Sequence, residues 1–139
     1  MKTTTVLLLL TGCVLHGQSE RVPPQRPGLR VALDITTSHP DDKAAEAAEQ
    51  IRTVLTRELR KLGDVRVTSP YEAADDRLHV TVAGGMCTTV FVVATRPSGG
   101  GETFAKDWVL GGNAKQQWVS FVQEFDQQVL EADRRRLFR

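Results

Sequence analysis

The chain has 139 residues, enough for one domain with a hydrophobic core and too few for two ordinary domains. Hydrophobic residues make up 40% and charged residues 25%, as is typical of a soluble globular protein. The formal net charge of +1 provides no overall attraction to nucleic acid or to an acidic membrane, so we expect no nucleic-acid partner. Two cysteines are too few for a disulfide scaffold.

A short apolar run, Val6 to Leu10, follows a positive charge at Lys2 near the start of the chain. Even with Val14 and Leu15 included, the run has only about ten residues, whereas a transmembrane helix needs roughly 20. A charged start, a short apolar stretch and small residues after it are typical of a secretory signal peptide. The alternative, a first strand or buried helix of the fold, is less favoured because no pattern continues the run.

The run ends in "LTGC", Leu10 to Cys13, which resembles the lipobox of bacterial lipoproteins. That motif consists of an aliphatic residue, two small residues and a cysteine. The resemblance implies a signal peptide of residues 1–12, cut off before Cys13, and a diacylglycerol on the Cys13 thiol. In this family the new amino group usually carries a fatty acid such as palmitate as well. The competing possibility is ordinary signal cleavage, but Leu15 to Gly17 makes a poor small-x-small site.

A lipidated Cys13 would hold the protein on a membrane with no protein segment inside it, because two or more acyl chains anchor stably. In enteric lipoproteins an aspartate after the cysteine favours the inner membrane. Here that residue is Val14. The resemblance therefore implies the periplasmic side of the outer membrane. Cys87 then has no partner in the chain and is either a buried thiol or an intermolecular one; its apolar, strand-like surroundings favour the buried thiol.

Residues 13–27 are predicted to form a tether. The stretch "QSERVPPQRP" is polar, contains three prolines and has no helical or strand period. An extended spacer of this kind reaches roughly 45 Å at about 3.1 Å per residue. The alternative is an ordinary disordered terminus. We expect a single globular domain over residues 28–139.

The domain opens with a strand and a helix. "GLRVALDI" alternates apolar and polar residues, which predicts a strand with one buried face. "TSHPDD" predicts a helix start with Ser38 as the cap, Pro40 in the first turn and two aspartates at the positive end of the dipole. We expect this helix to end near Leu62, before Gly63. Its apolar stripe consists of Ala44, Ala48, Ile51, Leu55, Leu59 and Leu62.

Four further strands are predicted. "DVRVTS" completes a βαβ unit, which is normally parallel and right-handed. "LHVTVA" is the third strand, with Leu78, Val80 and Val82 on one face. "CTTVFVVATR" is apolar on both faces in its middle, which predicts a central strand. "TFAKDWVL" is the fifth strand, and the loop "PSGGGE" before it is typical of a hairpin.

The last predicted element is a helix from about Ala114 to Arg135. Asn113 and Gln116 resemble a capping box at its start. We expect Trp108 and Trp118 to lie in the core. The apolar face of the helix consists of Trp118, Phe121, Val122, Phe125, Val129 and Ala132.

The order β-α-β-β-β-β-α predicts a single domain of the α/β (α+β) class. It is a two-layer sandwich with a mixed sheet and two helices on one face. This order, with "IRTVLTRELRKLGDVRVTS", resembles the amino-terminal domain of TolB, the lipoprotein activators of penicillin-binding proteins and curli-channel lipoproteins. The lipopolysaccharide-assembly lipoproteins share a similar order. The resemblance covers roughly residues 29–83, rests on pattern alone and carries over no functional residue.

A search for catalytic and metal-binding residues yields none. His16, His39 and His79 lie far apart, without HxxxH or CxxC spacing, so we expect no metal and no cofactor. His39 and the nearby aspartates are interpreted as part of a helix start. His79 and Cys87 lie on neighbouring predicted strands, but His79 alternates with inward residues whereas Cys87 begins an apolar run. We therefore expect no thiol–imidazole pair.

Two charged or glycine-rich segments also have ordinary interpretations. "SGGGET" lacks the lysine and the following helix of a phosphate loop. Arg134 to Arg136 suit the negative end of a helix dipole, which predicts a solvated helix terminus. The alternative is contact with phosphate groups of a lipid or a partner.

Together these features predict a non-enzymatic lipoprotein of the bacterial cell envelope, held on a membrane by Cys13, that binds or scaffolds another envelope protein. The alternative is a periplasmic protein that binds a small molecule or lipid in a pocket between sheet and helices. An exposed sheet edge with unpaired backbone groups would favour the first hypothesis, and a sizeable apolar pocket the second. An enzyme would require polar groups that converge in a cleft.

Overall fold

The computed structural model describes residues 28–38, 41–84 and 86–138. The predicted signal peptide, Cys13 and the tether lie outside these residues. In chain order the elements are β1 (Leu29–Thr37), α1 (Asp42–Arg60), β2 (Val65–Thr68), β3 (Asp76–Ala83), β4 (Thr89–Arg96), β5 (Gly101–Val109), α2 (Ala114–Phe125), a π-helical segment (Asp126–Leu130) and α3 (Glu131–Leu137). The last three follow one another without a break. The predicted element order is confirmed.

The five strands form one mixed sheet in the order β2-β1-β3-β4-β5. β1 is parallel to both β2 and β3, and the pairs β3–β4 and β4–β5 are antiparallel. The predicted fold class, a two-layer α+β sandwich, is confirmed. β4 lies inside the sheet as expected, but the middle strand is β3.

The core lies between one face of the sheet and the helices. Alternate residues of β3, namely Leu78, Val80 and Val82, are buried there, as predicted. Leu55 packs against them from α1 and Phe121 from α2. Full burial of a large apolar side chain stabilises the fold by about 1.5–3 kcal/mol. The whole core is therefore needed to offset the entropy of ordering the chain.

Aromatic side chains fill the part of the core under α2. Phe121 and Phe125 stack with ring centroids 6.1 Å apart, and the rings of Trp108 and Trp118 meet at 4.8 Å. Trp118 is buried and Trp108 packs against the core from β5. The predicted core position of both tryptophans is confirmed.

The start of α1 differs from the prediction. Asp41, not Ser38, is the N-cap, and its Oδ1 accepts a hydrogen bond of 2.6 Å from the backbone N–H of Ala44. The reason is that the sheet extends further than the alternation suggested. The Ser38 backbone N–H donates to the carbonyl of Val82, so the sheet still holds the residue directly after β1. At the other end Gly63 adopts the positive φ expected after a helix.

The C-terminal helix departs from the prediction at two points. Asn113 makes no side-chain cap bond; instead Gln117 accepts from the N–H of Gly111. The π-helical segment contains an extra residue in its turn, which rotates everything that follows. Asp133 therefore faces the sheet, and Ala132, predicted to be in the core, is exposed.

Candidate functional site

One face of the sheet is left uncovered by the helices that the structure describes. The cross-strand pairs place Asp34, His79, Val93 and Ala105 in one row. The next row holds Thr36, Thr81, Phe91 and Asp107. We call these eight residues, together with Thr95 and Val109, the open sheet face.

Two large apolar side chains of the open sheet face are exposed. Phe91 is 45% exposed although it belongs to an interior strand, and Val109 on β5 is 51% exposed. Phe91 lies between Thr81 and Asp107 in its row. The face thus combines an exposed aromatic ring with threonine hydroxyls, the mixture of apolar and hydrogen-bonding groups found in protein interfaces.

Polar side chains from three strands meet beside Phe91. His79 Nδ1 lies 3.2 Å from Asp34 Oδ2, and His79 Nε2 lies 3.4 Å from Thr95 Oγ1. The order hydroxyl, imidazole, carboxylate is that of hydrolase triads. However, the hydroxyl–imidazole distance exceeds the roughly 2.6–3.2 Å that joins a nucleophile to its base. The contacts orient the His79 ring on the surface of the sheet.

A pair of buried carboxyl groups lies on the other face of the sheet. Asp76, at the start of β3, and Asp133, on α3, are both 0% exposed. Asp133 Oδ1 accepts a 2.6 Å bond from Arg96 and a 3.2 Å bond from Arg136. Burial, and then the hydrogen bond and negative charge of Asp133, raise the pKa of Asp76 to about 8.

The raised pKa of Asp76 indicates a structural role for the pair of buried carboxyl groups. Among the described residues no donor reaches either Asp76 oxygen, so an ionised Asp76 would be unsatisfied beside Asp133. A proton on Asp76 supplies the donor and joins β3 to α3. Because both groups are closed to solvent, a substrate has no access to them.

The sequence reasoning missed this pair, although two signals were present. Asp133 follows Val129 by four residues and so continues the apolar stripe of the helix. Asp76 precedes Leu78 by two and so continues the inward face of β3. Two elements that pack together, each with a carboxylate at an inward position, form the pattern that would have indicated the buried pair.

A cleft of about 240 Å³ lies between β5 and the first half of α2. It is lined by Lys106, Trp108, Asn113, Gln116, Gln117, Ser120 and Phe121. Lys106 is paired with Glu124, so the lining carries little free charge. The cleft is smaller than the roughly 300–1,000 Å³ of typical drug-sized sites. It offers aromatic rings, amides and a hydroxyl to a small neutral molecule.

The prediction of a buried thiol was wrong: Cys87 is exposed. It lies in the connection before β4, which begins only at Thr89. The apolar run that followed it in the sequence belongs to the strand, whereas Cys87 itself does not. His79 pairs across the sheet with Val93, not with Cys87, and its ring contacts Asp34. His39 lies outside the described residues.

The prediction of a solvated terminus for the last three arginines holds for Arg135 and Arg136, which are exposed, and fails for Arg134, which is half-buried. Arg134 donates to Asp64 at 2.5 and 2.9 Å and reaches Asp126 at 2.7 Å. The hydrogen bond that Arg134 donates to Asp64 is the main cause that raises the pKa of Arg134 above its usual value. Arg136 binds the buried Asp133. The π-helical segment brings these side chains back over the sheet.

None of the helices in the described parts of the chain is long and apolar enough to span a membrane. Within residues 28–38, 41–84 and 86–138, no group of three or more histidine, cysteine, aspartate or glutamate side chains is placed to hold a metal ion.

Comparison with known proteins finds similarity at the level of structure. No protein-family model and no curated protein sequence matches the chain. A Xanthomonas campestris protein of family DUF330 aligns with a TM-score of 0.56 and 11% identity, over 80% of this chain and 90% of that one. The PelC dodecamer from Paraburkholderia phytofirmans aligns with a TM-score of 0.46 and 14% identity, over 75% and 86% of the two chains.

The C-terminal domain of LpoB from Escherichia coli aligns with a TM-score of 0.36 and 14% identity, over 60% of this chain and 83% of that domain. At such identities the DUF330 alignment shows a shared fold and nothing further. The resemblance predicted from the sequence is supported at the level of fold. The lipobox lies outside the described residues.

Proposed function

We propose that this chain is a non-enzymatic, lipid-anchored protein of the bacterial cell envelope that binds another envelope protein through the open sheet face. The observation that carries the proposal is the exposure of Phe91 on an interior strand. An interior strand offers its neighbours a full set of hydrogen bonds, so its side chains, and not its backbone, are left to contact a partner.

The composition of the face suits a protein partner. Aromatic side chains that enter a pocket on the partner supply a large share of binding energy, and surrounding polar groups exclude water. Phe91 is the aromatic anchor, and Thr81, Thr95 and Asp107 supply the polar surroundings. The mixture of small hydroxyls and one ring favours a protein surface over a lipid acyl chain, which would require a continuous apolar lining.

The anchor in this proposal is the acylated Cys13, followed by the tether of residues 13–27. The support is the lipobox-like "LTGC". Replacement of Cys13 by serine is expected to move the protein from the membrane fraction to the soluble envelope fraction. Mass spectrometry of the wild-type protein checks the cause, since acylation adds the mass of diacylglycerol to the cysteine.

Affinity purification after crosslinking in cells tests the binding proposal. Phe91→Thr keeps a strand-favouring residue and removes the ring. Tyr71→Thr is the matched control, because Tyr71 is 98% exposed outside the sheet. We expect the partner band to disappear for Phe91→Thr and to remain for Tyr71→Thr. Equal recovery with both variants would contradict the proposal.

The cleft between β5 and α2 supports a second candidate, the binding of a small neutral molecule. Its lining combines the Trp108 and Phe121 rings with amide and hydroxyl groups. The chain has two tryptophans, both near this cleft, so intrinsic fluorescence reports binding. A saturable change on addition of N-acetylglucosamine or another neutral sugar, reduced in Gln116→Ala, would support it. An unchanged emission spectrum at saturating sugar would exclude that ligand class.

A further inference from the structure

Three parts of the domain meet where the tether joins it. The Leu29 backbone N–H donates to the carbonyl of Asp64 at 2.8 Å, and Arg134 donates to the Asp64 carboxylate. The start of β1, the end of α1 and the end of α3 therefore share one end of the molecule. We call the start of β1 at Leu29, the segment Arg57–Asp64 and the segment Arg134–Phe138 the tether end.

Within the segments of the tether end, five of the six cations are exposed, whereas the two anions, Glu58 and Asp64, are buried and half-buried. Glu58 is 5% exposed and receives bonds from Arg57 at 3.2 Å and from Lys61 at 2.8 Å. The hydrogen bond from Lys61 lowers the pKa of Glu58, so this carboxylate is ionised at neutral pH. The buried Glu58 carboxylate thus pairs with two cations, Arg57 and Lys61. The Lys61 side chain is 59% exposed. The surface there is positive.

The end of α3 repeats the arrangement. The buried Asp133 serves both Arg96 and Arg136. The neighbouring Arg135 is 68% exposed and pairs with Glu131 at the surface. A net charge of +1 for the whole chain therefore conceals a local excess of exposed cations. Helices α1 and α3 both end here, where the helix dipole favours cations. The dipole effect does not require these cations to share buried anions.

Exposed apolar side chains follow the cations directly. Leu137 and Phe138, which come after Arg134 to Arg136, are both exposed. Cations beside exposed leucine and phenylalanine are typical of helices that lie at a membrane interface. The rings and methyl groups enter the headgroup boundary, and the cations attract the phosphates.

From these observations we propose that the tether end is a docking surface for an anionic phospholipid membrane. Charge complementarity favours it, because each cation near an anionic surface strengthens binding by about fivefold. The position of the chain outside the domain favours it as well. Residues 1–27 lead into the domain at Gly28, so an anchor at Cys13 attaches the domain to the membrane at this end and not at the opposite one. That second argument rests on the proposed acylation of Cys13; the charge argument does not.

Vesicle sedimentation tests the proposal with the full chain carrying Cys13→Ser, which cannot be acylated. Vesicles of phosphatidylcholine alone are compared with vesicles containing phosphatidylglycerol, at low salt and at about 1 M NaCl, where the Debye length is about 3 Å. We expect binding only to the anionic vesicles and its loss at high salt. Binding to both kinds of vesicle, or to neither, would overturn the proposal.

Two double variants in the Cys13→Ser chain locate the surface. Arg60→Gln with Arg135→Gln removes two exposed cations from the tether end. Lys43→Gln with Lys115→Gln removes two exposed cations from the first turns of α1 and α2, at the opposite end. Both variants change the net charge equally. We expect about 25-fold weaker binding for the first pair and little change for the second.

Equal weakening by both pairs would show that overall charge, and not the tether end, governs binding, and so would overturn the proposal. Thermal unfolding of each variant confirms that all are folded. The two proposals fail separately. A wild-type chain without an acyl group refutes the anchor even if vesicles bind, and an acylated chain whose serine variant ignores anionic vesicles refutes the docking surface.

Discussion

The two faces of the sheet differ in what lies above them: helices cover one face, and the helices that the structure describes leave the other open. The helix-covered face presents Leu78, Val80 and Val82 to a closed core. The open sheet face presents His79, Thr81 and, on the next strand, Phe91 to solvent. Phenylalanine occurs on both sides of the sheet, so residue type alone does not distinguish the covered face from the open one. The two faces differ in whether a helix lies above the ring.

Replacing one phenylalanine on each side of the sheet with alanine tests the difference between the two sides most strongly. Phe121 is 1% exposed, and its loss leaves a cavity, so we expect Phe121→Ala to lower the free energy of unfolding by about 3–5 kcal/mol. Phe91→Ala, on the open sheet face, is expected to cost less than about 1 kcal/mol. Urea unfolding measures both. Similar losses would show that Phe91 is part of the fold and not a contact surface.

The arginines of α3 give the next largest difference. Arg134 contacts Asp64 and Asp126 and is mostly buried, so we expect Arg134→Gln to cost about 1.5–3 kcal/mol. Arg135 is exposed and pairs only with Glu131 among the described residues, so Arg135→Gln should cost less than about 0.5 kcal/mol. Urea unfolding of the two variants measures both losses. A harmless Arg134→Gln would contradict the ion-pair network that the structure shows.

The buried carboxyl pair makes stability depend on pH. The pKa of Asp76 is about 8 in the folded protein and near 3.8 when unfolded. Between these values the folded state holds a proton that the unfolded state has released, so stability falls as pH rises through this window. We expect the wild type to lose at least about 1 kcal/mol between pH 5 and pH 8.

Asp76→Asn carries an amide that cannot ionise and still donates to Asp133, so the variant provides the control. Its free energy of unfolding should change less over the same pH range than that of the wild type. Parallel pH profiles for the two proteins would show that Asp76 is ionised in the fold and that the pair does not share a proton.

The smallest expected effect concerns residues 1–27. Because "QSERVPPQRP" has no apolar period, removing everything before Gly28 should shift the free energy of unfolding by less than about 0.5 kcal/mol. Thermal melts of the two chains make the comparison. A large loss of stability would show that the predicted tether packs on the domain, the open sheet face being the first place to look.

Sequence patterns predicted the covered face much better than the open one. The alternation of β3 and the stripe of α1 follow directly from burial, which selects apolar side chains at a fixed period. Burial exerts no such selection on the outer face, where threonine, valine and phenylalanine all favour strands whether covered or not. This is why β4 looked buried on both faces and why Phe91 escaped notice.

The remaining errors arose where tertiary contacts override local signals. The capping role of Asp41 depends on β1 continuing to Thr37, which its pairing with β3 decides. The exposure of Ala132 depends on the π-helical segment before it, which the regular helical period did not predict. The exposure of Cys87 depends on where β4 begins to pair. Each is a property of two elements together.

The central claim is that the open sheet face binds an envelope protein, and photocrosslinking in cells tests it most directly. A photoreactive phenylalanine analogue replaces Phe91 in one strain and Tyr71, exposed outside the sheet, in another. We predict a discrete protein adduct after illumination at position 91 and none at position 71. Adducts at position 71 alone, or equal labelling at both positions, would contradict the account.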